Sequence, residues 1–87
     1  MATYYFHLRD GTDVLLDPDG RDLESGSLAA AALTEARAII AADAGSGHIY
    51  LDQAIEVEDS DGKVVHSIRF EDAVQVTHEA IRVRQRN

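Results

Sequence analysis

Tyr5, His7 and Arg9 stand at alternate positions in the opening stretch of the chain, and Glu56 and Glu58 alternate in the same way further on. Residues two apart on an extended strand share one face. A phenol, an imidazole, a guanidinium and two carboxylates could therefore project together. These are the parts of a general acid–base pair or of a small-ligand site. They are also the parts of an ordinary wet sheet face, where cross-strand ion pairs each stabilise by about 0.2–1 kcal/mol. With Arg69 added, the set Tyr5, His7, Arg9, Glu56, Glu58 and Arg69 is the candidate interaction surface. Small-ligand or metal binding through His7, Arg9 and nearby acids is the alternative.

Other groupings carry less. Asp10, Asp13, Asp17, Asp19, Asp22 and Glu24 form an acidic stretch. A helix–loop–helix calcium loop needs an acid first, Gly sixth and Glu twelfth. Taking Gly20 as sixth puts Leu15 first and Gly26 twelfth, and taking Gly62 as sixth puts Val57 first and Ile68 twelfth. Both alignments fail, and turn chemistry accounts for these aspartates. His7, His48, His66 and His78 have no helical i, i+4 spacing. There is no Cys, hence no thiol nucleophile and no cysteine-based zinc site. Gly45-Ser46-Gly47 follows a helical pattern, whereas a phosphate-cradling glycine loop precedes one. No catalytic residue, metal or cofactor is implied.

The elements that must position the candidate face follow from periodicity. Residues 3–9 alternate as a strand, with Tyr4, Phe6 and Leu8 opposite Tyr5, His7 and Arg9. Asp10-Gly11-Thr12-Asp13 is a hairpin turn into a short strand at residues 14–16, stopped by Asp17-Pro18-Asp19-Gly20. Residues 27–42 are alanine-rich. There Ala29, Ala32, Leu33, Ala36, Ile39 and Ile40 recur at helical spacing, after serines suited to capping at Ser25 and Ser27. Residues 48–53 form a connector whose Ile49, Tyr50 and Leu51 could lie against the core. Residues 54–59 and 63–70 then make a second hairpin around Ser60-Asp61-Gly62. One helix covers one face of a sheet, so the face bearing Tyr5, His7, Arg9, Glu56, Glu58, Val65, Ser67 and Arg69 is expected to be open. Past Glu71 the pattern fits either a short helix or a frayed end, and residues 81–84 also fit strand alternation.

Charge and length bound the rest. The chain has 87 residues, enough for one domain. Its net charge is −8, but residues 1–76 hold 15 of the 16 acids and 5 of the 8 bases, a balance of −10. Such a body repels phosphate backbones, so nucleic acid is not the expected partner. Arg82, Arg84 and Arg86 make the end basic. No apolar run is long enough for a membrane span, and the absence of Cys suits a reducing compartment, so a cytoplasmic protein is expected.

The opening Tyr4-Tyr5-Phe6-His7-Leu8-Arg9-Asp10-Gly11 resembles that of short bacterial proteins in a family known only as a domain of unknown function. Asp17-Pro18-Asp19-Gly20, the alanine-rich helix, Ile55-Glu56-Val57 with Asp61-Gly62, and Phe70-Glu71-Asp72-Ala73 match in order. The resemblance spans about residues 3–76 and implies no reaction or cofactor. The expected fold is α+β, β-β-α-β-β. Two hairpins form a mainly antiparallel four-stranded sheet with one Ala-rich helix packed on one face. Residues 1–76 would make the domain and 77–87 a basic tail or short helix. The expected role is a non-enzymatic interaction or regulatory module, self-associating as a homodimer or binding another protein.

Overall fold

The computed structural model describes residues 1–77. The long first strand β1 (Ala2–Asp10) is followed by two short strands, β2 (Asp13–Leu15) and β3 (Arg21–Leu23). After a 3-10 turn at Ser25–Ser27 comes helix α1 (Leu28–Gly45), then β4 (Ala54–Glu58), β5 (Val64–Arg69) and the single-turn helix α2 (Phe70–Ala73). The sheet runs β2-β1-β4-β5, with β3 also paired to β1, and every pairing is antiparallel. The expected α+β fold of two hairpins under one main helix is therefore present. Arg21–Leu23 adds a fifth strand that the charged residues Arg21 and Asp22 gave no reason to expect.

Helix α1 buries Leu28, Ala32, Ala36 and Ile40, one residue every four, along a single stripe. Ala32 and Ala36 are wholly buried, so nothing bulkier than a methyl separates the helix backbone from the sheet. Beneath lie Tyr4, Phe6, Ile55 and Val57 from the sheet and Phe70 and Ala73 from α2. Ile68 packs against this core in part, as do Leu8, Leu33, Ile39 and Leu51. Ala29 faces solvent instead of the sheet, and so do Ile49 and Tyr50 of the connector. Neither serine caps α1 through its side chain. The N–H of Ser27 donates to the Glu24 carbonyl at 2.9 Å, and the 3-10 turn satisfies this end.

The arginines close the edges of the core. Arg21 lays its guanidinium 4.2 Å above the Phe6 ring and reaches Glu35 of α1 at 3.2 Å. Arg37 donates from Nε to the carbonyl of Ala73 at 2.8 Å, tying α1 to the end of α2. No helix among the described residues is long and apolar enough to cross a membrane. The basic end with His78, Arg82, Arg84 and Arg86, and the alternatives for it, lie outside the described residues.

Candidate functional site

The uncovered face is built where β1 meets β4. In their register Tyr5 lies opposite Glu58, His7 opposite Glu56 and Arg9 opposite Ala54. Each basic residue engages the acid on the diagonal. Arg9 grips Glu56 with two contacts, Nε to Oε2 at 2.7 Å and Nη2 to Oε1 at 3.2 Å. The hydrogen bond and then the charge of Glu56 raise the Arg9 guanidinium above its ordinary value, against the small opposing effect of desolvation. His7 Nε2 lies 3.3 Å from Glu58 Oε1. The rings of Tyr5 and His7 stack nearly parallel, with 6.4 Å between centroids. Arg69 is not drawn into this cluster and pairs instead with Glu71 at 3.2 Å.

His7 departs from expectation. It stands on the face opposite Phe6, as its alternation requires, yet only 6% of it is exposed. The cover is not the helix but the loop after β2. The N–H of Asp17 donates to His7 Nδ1 at 3.0 Å. Since Nδ1 accepts, the neutral ring carries its proton on Nε2, the nitrogen that faces Glu58.

Asp17 is the residue that makes this loop possible. Main-chain groups on a strand alternate between its two neighbours. Phe70 N–H donates to the Gln53 carbonyl at 2.8 Å, which fixes the phase of the whole ladder. Counting by twos, Ile68 and His66 face β4, Glu56 and Glu58 face β1, and Tyr5, His7 and Arg9 face β4. Tyr4, Phe6 and Leu8 then face β2 and β3, where Leu8 and Tyr4 find partners and Phe6 falls in the gap between. Asp17 Oδ2 fills that gap by accepting the Phe6 N–H at 3.0 Å. Its Oδ1 accepts the N–H groups of Asp19 and Gly20, each at 3.2 Å. Burial works against ionisation here, but the three N–H donors, helped by Arg21, outweigh it and hold the carboxyl below the usual range. The Asp-Pro-Asp-Gly sequence signalled a turn; it did not signal that the turn's first carboxylate would complete a strand.

By the same count, Ser67 and Arg69 point their main-chain N–H and C=O groups to the outer edge of β5. The register shifts at Val57/Glu58, and Val65 is the residue without a β4 partner. Val64, which alternation alone would place under the helix, lies opposite Glu58 and is exposed, as is Val65. The stretch from Val64 to Arg69 contains neither an acid nor a proline.

Arg9 and Glu56 are thus committed to each other, and His7 is held between the Asp17 N–H and Glu58. His7 Nδ1 and the guanidinium of Arg9 are engaged inside the molecule. Among the described residues no three His, Asp or Glu side chains lie close enough to share a metal ion. A shallow depression is lined by Met1, Ala2, Tyr4, Leu23, Glu24 and Ser25, none of which belongs to the candidate face. The model of a family described as "Domain of unknown function (DUF6894)" matches residues 3–71. No curated protein and no solved structure matches the chain.

Proposed function

The chain belongs to the family of the domain of unknown function DUF6894, and we propose that it is a non-enzymatic protein-interaction module, acting in the cytoplasm, that binds with its sheet rather than with a pocket. The observation that carries this reading is the edge of β5, which no strand among the described residues pairs. An edge strand presents a row of unpaired N–H and C=O groups that another chain can extend. Proteins blunt such edges with proline, inward charges or a covering element. Among the described residues the blunting is confined to the bulge at Val65, and Val64 and Val65 add exposed apolar surface beside the outward main-chain groups. The acidic body supports a protein partner over a nucleic acid.

The test is capture from native lysate with the full chain as bait, beside two variants altered at the edge. In Ser67→Pro the lost N–H points outward, so the substitution removes an intermolecular donor and no β4 bond. Val65→Lys places a charge on the same edge. The reading requires a protein, or the chain itself, retained by wild type and lost by both variants while their circular dichroism is unchanged. Identical retention by all three baits would sink it.

A further inference from the structure

The identity of the partner is written in the charges that flank β5. Lys63 precedes the strand and Glu71 follows it, while Arg69 is held by Glu71 at 3.2 Å. Asp61, Lys63, Arg69, Glu71 and Asp72, all on the strand or within three residues of it, sum to −1, so this edge lacks the net charge that would recruit a strongly acidic or basic peptide. A second copy presents an edge of the same kind.

We infer that β5 pairs antiparallel with β5 of a second copy, about a two-fold axis through Ser67. The inference rests on the interaction-module reading and narrows it to one occupant. A two-fold axis perpendicular to the sheet keeps each face on its own side, so the axis must pass through a residue position and not between two. Two registers use most of the strand. Centring on His66 sets the two imidazoles side by side and brings Lys63 level with Arg69 of the second copy, a like-charge contact at both ends. Centring on Ser67 pairs residues 65–69 within the strand and keeps Lys63 away from Arg69 of the second copy at both ends. It places Val65 beside the alkyl stem of Arg69 and sets two hydroxyls at the axis. The outward main-chain groups of Ser67 then bond to those of the second Ser67. Centring on Ile68 would run the pairing into α2, where the extended backbone ends. The Ser67 register is the longest one free of charge conflict. It joins the two sheets into one, with both α1 helices on the same side.

Cysteine cross-linking tests the register directly, because the natural chain contains no Cys. Directly opposed Cα atoms stand about 5.5 Å apart, within disulfide reach. Ser67→Cys alone is expected to oxidise to a covalent dimer about tenfold faster than free collision allows, since pairing raises the local thiol concentration. Val65→Cys or Arg69→Cys alone leaves like thiols four residues apart, roughly 13 Å, and forms no such dimer. Mixed together, those two variants do cross-link. Sedimentation of wild type should show a dimer that Ser67→Pro reduces to monomer. A wild-type monomer at high concentration, or equal cross-linking at all three positions, overturns the inference. If wild type is monomeric yet lysate capture still depends on the β5 edge, self-pairing is wrong and the broader reading stands. If neither is seen, both fail.

Discussion

His7 and Asp17 each complete the other's backbone environment. The imidazole accepts the N–H of Asp17 at 3.0 Å, and the Asp17 carboxylate accepts the N–H of Phe6, the residue before His7, at 3.0 Å. A side chain of the strand serves the loop, and a side chain of the loop serves the strand. The loop is thereby fastened across the uncovered side of β1 without a ladder of its own.

Replacing His7 by Phe keeps the ring and removes both nitrogens. The Asp17 N–H loses its acceptor, and Glu58 loses the ring nitrogen 3.3 Å away. The expected loss is about 1–3 kcal/mol, the cost of stranding a poorly hydrated polar group. Urea unfolding measures it, and amide exchange of Asp17 should speed up at the same time. Unchanged exchange would show that the imidazole does not hold the loop.

Asp17→Asn leaves one carbonyl oxygen for three N–H groups and is expected to cost about 1–3 kcal/mol at neutral pH. The folded-state carboxyl sits below its unfolded value. Its stabilisation is therefore fully present above the ordinary carboxylate range and is lost as pH falls through the depressed folded value. Wild type and the Asn variant should accordingly converge in stability on acidification. A gap that widens on going acid would contradict the hydrogen-bond geometry.

Gly20→Ala should be far more costly than Gly11→Ala. Both glycines have positive φ, 67° and 64°. A methyl on Gly11 meets nothing, so only the backbone term applies, about 1 kcal/mol. At Gly20 it would stand 2.8 Å from Tyr5 Cε2 and 3.0 Å from the Tyr4 carbonyl. The Tyr5 ring stacks on His7, so yielding there disturbs the fastened loop. Thermal denaturation of the two variants side by side provides the comparison.

Arg21→Ala removes the cation above Phe6 and the bridge to Glu35 together. Because Arg21 is substantially exposed, the expected destabilisation is modest, about 1 kcal/mol, with part of it from the alkyl stem that shields the ring. Arg21→Met, which keeps a long apolar stem without the charge, should recover that part. A double-mutant cycle with Phe6→Leu separates the stacking contribution, and additive losses would argue that Arg21 and Phe6 do not interact.

The layers of this fold were legible because period is a physical signal. Phe6, Ile55 and Val57 alternate with polar neighbours, and Ala32, Ala36 and Ile40 recur at four, so the covered side and the covering helix could be read directly. Which residues share the open face was legible too, for Tyr5, His7, Arg9, Glu56 and Glu58. What happens on that face was not. Burial of His7 depends on a loop returning over it, and that return depends on one carboxylate meeting one N–H eleven positions earlier in the chain. Strand β3 was hidden for a related reason. Arg21 and Asp22 carry no apolar alternation, and their extended shape comes from pairing with Ala2–Tyr4 once Asp17 and Gly20 have turned the chain. The displaced Val64 reflects a bulge, which inserts a residue that simple alternation cannot anticipate.

The division of the β1 flank into two short strands with a side-chain bond between them has a further consequence. That margin offers no continuous backbone: β2 and β3 have three residues each, and Asp13, Asp17, Asp19 and Asp22 lie along it. Among the described residues only the β5 margin offers a continuous edge to a new strand. In the proposed dimer two copies spend that margin on each other and a third finds no template, so growth would end at a closed pair with the route to fibres shut.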